Sequence, residues 1–230
     1  VDYKSLYSQK DSLYGEIWNE FKVDSLHAYG DYDESCMFAY GAALVIEDYV
    51  KFANKDNNLS VYAHFDEWTT GMGLLYLKKH MPSIYTAFTT HATSIGRSIC
   101  GNNKPLYDYM SGYNGDQMAD ELNMQSKHSL EKTAALQADI FTTVSDVTAV
   151  ECKQLIGREP IVTPNGFELD FVPVKAQYTK KRVEARKKLV QVAQSLIGTE
   201  LNDDTLLIAT SGRNEFRNKG LDAFIDSMNV

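Results

Sequence analysis

Residues 83–97 read SIYTAFTTHATSIGR, and this stretch decides the fold. The β-branched and aromatic residues from Ser83 to Thr89 suit a strand, and the polar turn after them opens into a segment that reads as a helix start. Strand, turn and helix in that order are the repeating unit of a parallel sheet with crossover helices. His91 then stands at the end of the strand, and Arg97 follows six residues later, so both can face one cleft.

The same unit recurs on either side. Short β-rich runs at Ser60 to Phe65, Asp139 to Val144 and Pro160 to Thr163 each precede a segment that reads as helix or helix start, which predicts an α/β fold. Upstream, Leu6, Leu13, Ile17, Trp18 and Phe21, and again the stretch from Phe38 to Phe52, predict two helices separated by Tyr29 to Asp33. The stretch from Gly101 to Asp120, rich in Gly, Asn, Tyr and Asp, predicts a long surface loop.

Downstream, the pattern breaks after Pro164-Asn165-Gly166. The chain passes Pro173 into a basic helix predicted over about Thr179 to Leu196, then a strand over Thr205 to Thr210 and a helix over about Lys219 to Met228. One β-α unit cannot bury both faces of its strand. Residues 1–173 are therefore expected to form one domain, and 174–230 a linker helix and the opening of a second, truncated one.

With 230 residues, 43% of them hydrophobic, the chain can bury a sizeable core. A net charge of -8 repels a phosphate-dense polymer, so nucleotides at a site are expected and nucleic acid along a surface is not. Cys36, Cys100 and Cys152 are far apart and odd in number, which argues against a zinc site or redox pair and for a reducing, cytoplasmic compartment. The apolar run from Ala39 to Ile46 is too short to span a bilayer, and Val1 to Gln9 has no signal pattern, so no membrane partner is expected. The first residue is not methionine, as in a fragment. Signatures of Rossmann dehydrogenases, P-loop NTPases, zincins and α/β-hydrolases are missing.

Four segments could carry chemistry. In Ser211 to Gly220, SGRNEFRNKG, Arg213 and Lys219 are six residues apart across a turn, and both can reach one anion at the start of the following helix. A diphosphate leaving group fits, although a solvated basic turn has the same spacing. His91 can hydrogen-bond a sugar hydroxyl or act as acid or base, and Arg97 offers a fork of donors suited to phosphate; a structural strand-end histidine is the plainer alternative. Asn165 can offer its amide to sugar hydroxyls or simply make an Asn-Gly turn. In AHFDEW, residues 63–68, a metal role for His64 and Glu67 lacks companion ligands, so a helix cap with Trp68 packed below it is expected. A helix after Thr142 to Asp146 is expected to be capped by Ser145 or Thr143.

Taken in order, AHFDEW, TTHATSIGR, EKTAALQADIFTTVSDVTAVE, IVTPNGFELDF and SGRNEFRNKG resemble the glycogen synthases of the animal and fungal type, glycosyltransferase family 3. The resemblance runs from about Trp18 onward and is weakest in Gly101 to Asn123 and Val172 to Asp204. It implies the glycosyltransferase B fold, two Rossmann-like domains facing each other across a cleft, with most of the N-terminal domain and the start of the C-terminal domain present here. It also implies retaining transfer of glucose from UDP-glucose to the non-reducing end of an α-1,4-glucan, with no metal and no cofactor beyond the donor. By motif, His91 would contact the donor glucose, Arg97 the donor, Arg213 and Lys219 the diphosphate, and Asn165 the sugar. The family's glycine-rich donor loop would precede Val1 and its acidic pair would follow Val230, so this piece is expected to be inactive alone. An ADP-glucose-dependent starch or glycogen synthase, a sucrose-synthase-type enzyme and a non-catalytic carbohydrate-binding module are the alternatives. Homo-oligomerisation of the full-length protein stays open.

Overall fold

A computed structural model describes residues 2–54, 58–202, 204–217 and 219–229. The chain divides into two compact units, residues 1–164 and 165–230.

The first unit is built on a four-stranded parallel sheet in the order β1-β2-β3-β4. Two helices lead in, α1 (Lys10–Phe21) and α2 (Tyr32–Ala53). Then follow β1 (Tyr62–Asp66), α3 (Trp68–His80), β2 (Tyr85–Thr90) and α4 (Ser94–Gly101). After these come α5 (Gly115–Glu121), α6 (Gln125–Gln137), β3 (Ile140–Thr143), α7 (Asp146–Leu155) and β4 (Ile161–Val162). All four strands begin and end within two residues of their sequence expectations.

Period-two alternation fixes which side of the sheet is buried. Phe65, Phe88 and Phe141 pair in register across β1, β2 and β3, and all three are buried. Burying each phenylalanine contributes about 1.5–3 kcal/mol. On the opposite face, Tyr62, Tyr85, Ile140 and Ile161 are exposed. Helix α3 is buried along Gly71 to Leu77, so its sequence shows little amphipathicity. It lies so close to α2 that a Cβ at Gly73 would fall 2.6 Å from the Ala39 carbonyl oxygen. Only glycine admits that approach.

The expected loop from Gly101 to Asp120 is a correction. It contains a 3₁₀ turn at Met110–Gly112 and most of α5, and its apolar residues close a second small core. Leu106, Met118 and Ala119 pack there with Ile95, Ile99, Met124 and Leu155. Leu106 and the adjacent pair Met118-Ala119 anchor this polar stretch, which composition alone conceals.

In the second unit, α8 (Ala176–Ile197) and α9 (Leu221–Ser227) are the α-helices among the described residues, and no described residue is buried. The strand expected over Thr205 to Thr210 is not formed. A strand's backbone donors and acceptors need a neighbouring strand, and no other described segment of this unit offers one.

Candidate functional site

The carboxyl ends of β1 and β2 bring together four side chains from two motifs. The parallel register sets Asp66 beside Thr89, so the residues just after each strand face one another: Asp66 and Glu67 from AHFDEW, His91 from TTHATSIGR. Ligands of open α/β sheets bind at such strand ends.

His91 is held twice. Its backbone N–H donates to Glu67 Oε1 at 3.1 Å, and its Nε2 lies 3.0 Å from Asp66 Oδ1. Arg97, from the first turns of α4, reaches the same Glu67 oxygen, with Nη2 at 3.5 Å. His91 and Arg97 therefore share one cluster, organised by Glu67. The side chains of His91 and Arg97 stay 38% and 46% exposed, accessible enough to meet a ligand.

Glu67 carries the strain of this arrangement. Its φ of 62° and ψ of 165° are rare for a residue with a Cβ. The Glu67 N–H continues the strand ladder to the Thr89 carbonyl at 2.8 Å, so the turn is fixed by β2 itself. Burial pushes the Glu67 carboxyl above the usual carboxylate range, against the opposing pull of the His91 N–H and the Arg97 guanidinium.

Glu67 is the residue before α3 but its side chain makes no capping hydrogen bond there, which corrects the expectation of a simple helix cap in AHFDEW. Trp68 packs as expected, stacked 6.0 Å from Tyr32 with Lys127 Nζ 4.7 Å from its ring centroid. His64 is engaged elsewhere than with the Glu67 carboxylate: its Nε2 meets Thr89 Oγ1 at 2.7 Å, and that hydroxyl meets Thr142 Oγ1 at 2.6 Å, a polar row across three strands. Ser145 is the cap of α7, accepting from the Thr148 N–H at 3.2 Å, while the Thr143 hydroxyl donates to the Thr90 carbonyl. Among the described residues no group of three or more His, Cys, Asp or Glu is placed so that it could hold a metal ion, and no helix is long and apolar enough to cross a membrane.

Within the second unit, Arg213 and Lys219 lie on one turn. The Lys219 aliphatic chain runs beside Gly212, its Cδ 3.7 Å from where a Cβ would stand. Arg213 Nε is 3.2 Å from Glu215 Oε1, and its side chain is 66% exposed. Helix α9 begins only at Leu221, and Asn218 of this motif lies outside the described residues. Asn165, first residue of this unit, is exposed.

Sequence reasoning missed Asp66 and Glu67 as partners of His91. Their signal was the parallel pairing of two strands that each end in polar residues, which places residue 66 level with residue 89.

The family model for glycogen synthase matches residues 1–230. A glycogen [starch] synthase of Dictyostelium discoideum is 33% identical over 201 residues, 85% of this chain and 23% of that protein. One from Neurospora crassa is 30% identical over 231 residues, 99% of this chain and 32% of its own length. The human liver glycogen [starch] synthase is 30% identical over 224 residues, 95% of this chain and 31% of that protein. The chain thus spans less than a third of the length of each relative matched. Its parallel sheet with flanking helices is the Rossmann-like architecture of glycosyltransferase B enzymes, and the chain belongs to the glycogen synthase family.

Proposed function

We propose that the protein carrying this chain transfers glucose from UDP-glucose to the non-reducing end of an α-1,4-glucan, with retention of configuration. The observation that supports this most is the cluster of Asp66, Glu67, His91 and Arg97 at the carboxyl ends of β1 and β2, within a chain matched end to end by the glycogen synthase family.

In this reading His91 contacts the donor glucose. With Asp66 on Nε2 and Glu67 on the backbone N–H, its imidazole is oriented before a ligand arrives, which lowers the cost of ordering it on binding. Arg97 supplies donors to the donor substrate, and Asn165 an amide to the sugar. Arg213 and Lys219 hold the diphosphate, whose leaving charge two cations stabilise more in the transition state than in the ground state. No side-chain nucleophile is required if the leaving diphosphate helps deprotonate the incoming hydroxyl on the same face. Residues 1–173 are then part of the first domain and 174–230 open the second. The cysteines, free in the structure, suit a cytoplasmic setting.

The test is glucan elongation by the intact protein with UDP-glucose or ADP-glucose as donor, together with Arg213→Ala and Lys219→Ala. Each variant is expected to lose about a hundredfold in kcat, the usual effect of removing one charge-stabilising donor. Preference for ADP-glucose would move the donor assignment, and absence of transfer by the parent would sink the reading.

A further inference from the structure

The turn that carries His91 is gripped from below by two carboxylates that the reaction itself does not use. Glu131, on α6, is fully buried, and Glu151, on α7, is 3% exposed. Buried carboxylates are costly unless hydrogen-bonded, so both should have a structural reason for being there.

Their partners give that reason. Glu131 takes the residues on both sides of His91: the Thr90 hydroxyl donates to Oε1 at 2.6 Å, and the Ser94 N–H donates to Oε2 at 2.7 Å. Glu151 takes the residue between: the Thr93 N–H and hydroxyl both donate to Oε1, at 2.8 and 2.5 Å, and the Tyr107 hydroxyl donates to Oε2 at 3.3 Å. Thr93 in turn caps α4, accepting from the Gly96 N–H at 2.9 Å, and so sets the direction of the helix that bears Arg97. A Cβ at Gly96 would land on Glu151 Oε1, so the glycine of TTHATSIGR is what admits this carboxylate.

We propose that Glu131 and Glu151 are positioning residues for glycosyl transfer, two buried carboxylates that clamp residues 90–94 and thereby aim His91 and Arg97. This rests on the function proposed above. Neither carboxylate touches substrate; each acts through the turn. Ordinary core packing would use apolar residues at these two helix positions, where hydrogen-bonded carboxylates cost more to bury and give direction instead.

The chemistry also says which substitutions keep the clamp. In Glu131→Gln the amide oxygen can accept from the Ser94 N–H while the amide N–H donates to Thr90 Oγ1, whose own proton turns to the Ala92 carbonyl 3.4 Å away. In Glu151→Gln the amide oxygen can keep both Thr93 donors and the amide N–H can face the Tyr107 oxygen. Leucine at either position fills the same volume and removes every acceptor.

The experiment compares the intact protein with Glu131→Gln, Glu131→Leu, Glu151→Gln and Glu151→Leu. It reads kcat and KM for UDP-glucose-dependent elongation, the dissociation constant for UDP alone, and a crystal structure of each leucine variant. The leucine variants should lose about a hundredfold in kcat, the scale of an ångström-sized misplacement. The glutamine variants, which keep the acceptors, should recover to within about threefold of the parent in both kcat and UDP affinity. Leucine variants with parental kcat would overturn the proposal, as would glutamine variants that fall as far as the leucine ones. A leucine-variant crystal structure in which His91 Nε2 stays on Asp66 would overturn it even if the parent transfers no glucose, which separates its failure from that of the proposed function.

Discussion

The segment of residues 90–97 and the turn of residues 212–219 look alike in sequence, each with two basic or titratable side chains six residues apart near the start of a helix, yet they are held in opposite ways. The first is fixed by residues far away in the chain: Asp66 and Glu67 from another strand, Glu131 and Glu151 from two helices. The second is fixed locally, by the Lys219 N–H on the Glu215 carbonyl and by Arg213 beside Glu215. A substitution in the first turn should therefore disturb fold and chemistry together, whereas one in the second should disturb chemistry alone.

The sharpest way to break this contrast is Gly96→Ala. Its methyl would displace Glu151 from Thr93, and leaving a buried hydrogen-bonding group without its partners costs about 1–3 kcal/mol, more when it is charged. Urea denaturation should show that loss, and elongation should fall with it. A variant as stable as the parent would show that the turn is less tightly built than its contacts imply.

Next in size is a pH effect centred on Glu131. Burial raises its carboxyl from an ordinary 4.5 to about 7, with nearby Glu67 pushing in the same direction and the Thr90 and Ser94 donors opposing. The Cys152 thiol on α7, itself pushed up by burial, also lies near Glu131. The folded state thus holds the proton more tightly than the unfolded chain. Its contribution is complete below about pH 4.5 and declines as pH rises to about 7, by up to about 3 kcal/mol. Glu131→Gln should flatten that part of the stability profile; an unchanged slope would assign it to other groups.

The smallest expected effect sharpens the other side of the contrast. Arg213→Ala, at a side chain 66% exposed, should shift stability by less than about 0.5 kcal/mol even as elongation drops. A large loss of stability there would erase the distinction between the two turns.

Much of the first turn was legible because strand alternation and β-branched runs mark β1 to β4 locally, and His91 and Arg97 stand where a strand ends. Asp66 and Glu67 were visible but read as a discounted metal site, since local spacing cannot express a strand pairing that joins residues 25 apart. Glu131 and Glu151 open and close a stretch read for its strand and its helix cap, and nothing in their neighbours foretells that both glutamates bend back to the same turn. In the second unit the helix α8 was legible from its spacing and the strand at Thr205 to Thr210 was not realised, because a strand's existence depends on a neighbour as well as on its own residues.

The contact between Gly96 and Glu151 also bears on how such a turn can change over generations. The space that a side chain at 96 would need is the space that the carboxylate at 151 already fills. Neither position can drift alone: a larger residue at 96 becomes tolerable only after 151 has shortened or withdrawn, and a shortened 151 leaves Thr93 without its acceptor. Two sites 55 residues apart in the sequence are thereby locked into a single heritable unit, and the route from this turn to a different one passes through an intermediate in which Thr93 lacks its acceptor.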